Sequence, residues 1–127
     1  MSVTMTTYLG TQVGSDARKD ATISQSASGL TTLSETIAAA ASNVQHAFVC
    51  DVSAVKCFRM KATADMTVKT NSSGSPAQTL TLVANYPYVW NYGDLASFFL
   101  TTDVTTIYVS STDGGQLDIE CLYDATP

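Results

Sequence analysis

From His46 onward the chain runs in short alternations of apolar and polar residues, broken by a turn signal about every 8–12 residues. No other feature constrains the fold as much. A period of two sends successive side chains to opposite faces, so each run can bury one face and wet the other. That is the signature of a strand, and many short strands at even spacing make an all-β sandwich or barrel.

The runs are individually legible. His46–Val52 is mostly apolar and reads as a buried strand. Val55–Thr63 puts Cys57, Arg59 and Lys61 on one face and Phe58, Met60 and Ala62 on the other. Ala64-Asp65 turns the chain into Met66–Thr70, with Met66 and Val68 on one face. Asn71-Ser-Ser-Gly-Ser-Pro76 is a loop. Thr79–Ala84 alternates through Leu80 and Leu82. Tyr86–Tyr92 sets Tyr86, Tyr88, Trp90 and Tyr92 on one face and Val89 on the other. A long connection, Asn91 to Thr102, carries Leu95, Phe98, Phe99 and Leu100. Val104–Ser111 and Leu117–Tyr123 are expected to form a hairpin around Thr112-Asp-Gly-Gly115. An echo about fifty residues apart sets Asp51-Val-Ser53 and its following strands beside Asp103-Val-Thr105 and its own. Two related β units of that kind suit a jelly roll of two Greek keys.

The first half is less regular. Met1 to Leu30 is rich in Ser, Thr, Gly and Gln and shows no sustained apolar period. Two readings stand: a flexible or partner-dependent arm with one strand at Thr22–Ser28, or an ordinary edge strand and a loose terminus. In Leu33–Asn43, Thr32-Leu-Ser-Glu35 has capping-box spacing and the alanines after it favour helix. Only Leu33 and Ile37 could anchor such a helix, so a strand plus loop is expected. The expectation is a single all-β domain, a jelly-roll-like β-sandwich over residues 31–127, with a loosely structured N-terminal arm over 1–30.

Composition narrows the function. Hydrophobic residues make up 45% but charged ones only 13%, and 19 Thr with 14 Ser take up the difference. Threonine suits a half-buried pleated surface, and a polar surface with few ions docks on protein at little desolvation cost. The net charge is −5. Arg18–Lys19 and Lys56, Arg59, Lys61 form no basic face, so no nucleic-acid partner is expected. No apolar run is long enough to span a membrane, and the N-terminus has no signal-peptide pattern. Synthesis in a cytoplasm is expected, with Cys50, Cys57 and Cys121 as free, mostly buried thiols.

No catalytic constellation emerges, so no enzyme is expected, and no cofactor or metal. His46 and Cys50 share a strand face, but a lone histidine opening an apolar strand reads as structural. Asp113-Gly-Gly-Gln-Leu-Asp118 is too sparse for a calcium loop and reads as a turn. Asn71-Ser-Ser73 matches a glycosylation acceptor, relevant only in a eukaryotic secretory pathway. The candidate interface or ligand platform is Tyr86, Tyr88, Trp90 and Tyr92. Such rings serve as core, as subunit contact, or as a platform for sugar rings or peptide, and the first two are favoured.

Residues 51–124 resemble small structural proteins of tailed bacteriophages, in particular head decoration (cement) proteins. The resemblance rests on ordered elements: Asp65-Met-Thr-Val-Lys-Thr-Asn71 and its Ser/Pro loop, Gln78-Thr-Leu-Thr-Leu82, Tyr88-Val-Trp90, Asp103-Val-Thr-Thr-Ile-Tyr-Val109, and Leu122-Tyr-Asp124. It implies a non-catalytic β-sandwich or jelly roll that binds the outside of a capsid. Its partner would be the major capsid protein lattice, engaged as a homo-oligomer, a trimer favoured, located on the virion exterior after synthesis in the host cytoplasm. The rival expectation is a carbohydrate-binding or fibre-tip module of a virion that uses the aromatic face.

Overall fold

The structure, a computed structural model, describes residues 2–124, so 125–127 of the expected domain lie outside it. Ten strands follow one another: β1 Val3–Thr11, β2 Lys19–Ala27, β3 Gly29–Ile37, β4 Ala41–Cys50, β5 Val55–Ala62, β6 Met66–Thr70, β7 Thr79–Leu82, β8 Tyr88–Asn91, β9 Val104–Ser111 and β10 Gly115–Tyr123. A 3₁₀ turn, Val52–Ala54, joins β4 to β5, its Ser53 amide donating to the Asp51 carboxylate and its Val52 amide to that of Asp103. Among the described residues no helix is long and apolar enough to cross a membrane.

Two four-stranded antiparallel sheets face each other, ordered β3-β10-β5-β8 and β4-β9-β6-β7. Along β3–β10 the chain changes sheet at every connection except the β6–β7 hairpin. Eight strands wound in this way make a jelly roll, the β-sandwich expected from the strand spacing. The inward residues of both sheets form one core: Leu33, Ile37, Phe48, Phe58, Met60, Met66, Val68, Leu82, Ile107, Val109, Leu117 and Ile119, with others. Phe58 sits at its centre, edge-on to Phe48 and Phe99 and tilted against Phe98.

The expected hairpin between Val104–Ser111 and Leu117–Tyr123 is not formed. Strands β9 and β10 lie in opposite sheets, and 112–114 is a corner between them. A Gly-rich turn dictates that the chain reverses, but each strand takes the hydrogen-bonding partner that buries its apolar face. Here those partners are distant in sequence: β4 and β6 for β9, β3 and β5 for β10. The echoed unit behaves alike, since β5 and β6 also lie in opposite sheets. The β9–β10 corner nests against the β3–β4 corner, where Ala40 N–H donates to the Thr112 carbonyl at 2.9 Å. Gly114 is required there: its φ is +75°, and a Cβ would stand 2.6 Å from the Ala39 nitrogen.

The capping-box helix does not form. Residues 29–50 are two strands joined by a tight turn with Ala40 at φ 59°. The run His46–Val52 is half-buried rather than buried, because β4 is an edge strand and Val49 stays 66% exposed.

Residues 2–30 depart most from expectation, although the strand expected at Thr22–Ser28 is present as part of β2. Met1 of the expected arm lies outside the described residues. Instead of a loose arm, β1 and β2 pair over nine residues each, from Val3 opposite Ala27 to Thr11 opposite Lys19. The expected boundary at residue 30 falls inside β3. The ribbon's base forms a third layer on the outer face of the first sheet, where Ala27, Val3 and Met5 cover Cys57 and Leu122. Cys57 and Leu122 are paired neighbours on β5 and β10, so they make an apolar patch that water would otherwise meet. Ile23 and Gln25 are the other partly covered residues of β2.

Candidate functional site

Three places could carry function: the aromatic residues around β8, the N-terminal ribbon, and the buried thiols.

The expected aromatic face is divided by the strand that bears it. Regular pairing begins at Tyr88 and ends at Asn91, so Tyr86 and Tyr92 fall on the flanking turns. Trp90 lies opposite Phe58 and Tyr88 opposite Met60, which turns both inward along the open edge of the sandwich. The Trp90 indole stacks on Phe98, centroids 4.8 Å apart, and its Nε1–H donates to the Ala96 carbonyl at 3.0 Å. Tyr88 places its ring 5.0 Å from Tyr86, and its hydroxyl accepts from the Val83 amide. Tyr86 and Tyr92 are 58% and 60% exposed. The Lys56 ammonium stands 3.9 Å from the Tyr92 ring centroid, a cation–π contact. Two of the four side chains therefore close the core edge, and two lie largely exposed on the turns, Tyr86 against Tyr88 and Tyr92 under Lys56. The arrangement is not one flat platform.

The ribbon is the feature that sequence reading missed. Its alternation is visible in retrospect, with Val3, Met5, Thr7 and Leu9 on one face and Thr4, Thr6 and Tyr8 on the other. The hydroxyl-rich composition masked it, because threonine signals a strand without signalling which face is buried. Hydroxyl pairs tie the two strands, Thr4 to Ser26 at 2.8 Å and Thr6 to Ser24 at 3.1 Å. Near the base, Gln25 Nε2 donates to the Tyr92 carbonyl and Asn91 Nδ2 to the Thr7 hydroxyl. Beyond Thr7 support ends. Tyr8 is 78% exposed, Val13 77%, and every residue from Tyr8 to Thr22 is exposed. Beside β1, over the outer face of the first sheet, runs a groove of about 570 Å³ lined by Met5, Leu9, Pro87 and Val89. The Arg59–Glu120 ion pair, 3.3 Å apart, adds to its wall without net charge.

All three cysteines are free and buried, as the sequence led one to expect. Cys50 of β4 and Cys121 of β10 meet across the sandwich, sulfur to sulfur at 4.0 Å. Their shared hydrogen bond lowers the Cys50 pKa and raises that of Cys121, and burial adds to the rise. Burial also raises Cys57, although the Thr7 hydroxyl 3.9 Å away works against it. Cys57 and Cys121, held protonated in this way, are poor nucleophiles, and Cys50 is buried away from any substrate. Cys50 takes Cys121 as its partner, and the buried His46 Nε2 makes no hydrogen bond, so no Cys/His pair is assembled. Among the described residues no three His, Cys, Asp or Glu gather as metal ligands. Asp118, one end of the sparse acidic loop, instead accepts from Ser34 Oγ at 2.7 Å.

Comparison with protein-family models, with curated proteins and with solved structures finds no match.

Proposed function

We propose that this chain is a non-catalytic structural protein that docks, as a homo-oligomer, on the outside of an assembled protein lattice, as the resemblance to phage head decoration proteins implies. The observation that carries this reading is the ribbon. Its base is anchored over Cys57 and Leu122, while its distal half presents exposed Tyr8 and Val13 and half-exposed Leu9. An isolated two-stranded ribbon is marginal in water, so a distal half of this kind gains its stability from a partner's surface. The low-charge, hydroxyl-rich exterior supports the same role, because docking strips few ions of water. The jelly roll agrees with it but hosts many functions. The glycan-platform alternative draws less support from an aromatic set split between core edge and turns.

The test is co-sedimentation with particles from the source of the chain. The full chain is expected to pellet with them, and Tyr8→Ser/Val13→Ser to stay largely in the supernatant with its circular dichroism unchanged. Removing residues 2–27, which leaves β3 whole, should abolish pelleting. Equal pelleting of the double variant, or no pelleting of the full chain, would overturn the reading.

A further inference from the structure

Among the described residues six strand edges are free: both strands of the ribbon, β3 and β8 of one sheet, and β4 and β7 of the other. Free edges invite pairing with other chains, and proteins blunt them with short strands, charges, prolines or bulges. Five of the six are blunted. Strands β7 and β8 are four residues long. Strand β4 breaks register twice against its neighbour. Strand β3 carries Glu35, and β2 carries Lys19 and Asp20. Strand β1, Val3-Thr-Met-Thr-Thr-Tyr-Leu-Gly-Thr11, has no charge, no proline and no register break over nine residues. It also borders open space, since the groove beside it is lined by Thr4–Leu9 and by no residue of β2.

We infer that the free edge of β1 is a pairing site for a second copy of this chain, two β1 strands joining antiparallel about a twofold axis into a four-stranded sheet. The chemistry of β1 singles out itself as the occupant. The whole chain carries −5, yet two β1 strands bring no like charges together. About Thr7, the middle residue, Met5 faces Leu9 of the second copy and Thr6 faces Tyr8. These are an apolar pair and an aromatic–β-branched pair, the kinds that stabilise sheets. The exposed Tyr8 and Leu9 gain neighbours, and the second strand fills the groove along Pro87 and Val89. A twofold contact of this type is isologous and closes at the dimer. It stands whether or not the chain also docks on a lattice.

Sedimentation-velocity centrifugation at micromolar concentration tests it. The native chain is expected to sediment as a dimer. Thr6→Lys/Tyr8→Lys opposes lysine to lysine at two positions, and should raise the dimer dissociation constant at least about tenfold. Thr6→Glu/Tyr8→Glu should do the same. Both positions are exposed, so the variants keep the native circular dichroism spectrum. Mixing the two variants should restore the dimer, because lysine then faces glutamate. A monomeric or trimeric native chain would overturn the inference. So would variants that stay dimeric, or a mixture that stays monomeric.

Discussion

Replacing Trp90 with alanine separates the two roles that an aromatic residue on β8 could have. Trp90 is the only tryptophan and is half-buried, its ring stacked on Phe98 and its indole nitrogen bonded to the Ala96 carbonyl. Truncating a fully buried large aromatic to alanine costs about 3–5 kcal/mol. Half-burial brings this to roughly 2–3 kcal/mol, which includes about 1 kcal/mol each for the ring pair and the hydrogen bond. With an unfolding entropy of about 2.1 cal/mol/K per residue, a chain of this length should melt roughly 10 °C lower. Tyr86→Ala is the matched control: its ring is mostly solvated, so its cost should stay near 0.5 kcal/mol. Thermal melts followed by far-ultraviolet circular dichroism measure both. If Trp90→Ala melts no lower than Tyr86→Ala, and also abolishes binding on a glycan array, the indole is a ligand platform and its assignment to the core edge is wrong.

Three other outcomes follow from the geometry. Gly114→Ala should destabilise by about 1–3 kcal/mol, through its positive φ and the backbone of Ala39, whereas Gly74→Ala, with open space around it, should leave the melt unchanged. Thiol titration without reductant should count three thiols after denaturation and almost none in the native protein near neutral pH; a single thiol after denaturation would mean a disulfide. Stability should depend on pH through Cys57, which burial raises above the ordinary value of 9.0 in the folded chain. Its contribution is full below about pH 9 and is lost above it, because the unfolded chain then ionises while the folded chain resists. The fall in melting temperature above that pH should be shallower in Cys57→Ala than in the native chain, and an equal slope would refute the assignment.

By itself the sequence determined the individual strands of the sandwich. Local alternation is a property of neighbours along the chain, so Val55–Ala62, Met66–Thr70 and Val104–Ser111 were legible with most of their buried residues. So was the free state of the cysteines. The tertiary structure alone decided which strand pairs with which. The turn at 112–115 looks the same whether it closes a hairpin or rounds a corner, and the choice depends on burial against strands about 40 to 90 residues away. Tertiary structure likewise split the tyrosine–tryptophan face, because β8 is regular for only four residues and a period-two face exists only while the chain stays extended. The ribbon shows the same limit. Cys57 and Leu122 lie on a face that local pattern assigns to solvent, and they are buried because segments about thirty to fifty residues before the nearer one fold back over both. Periodicity reports how many faces a strand has. Whether a second face is also covered depends on contacts between distant segments, which no local window contains.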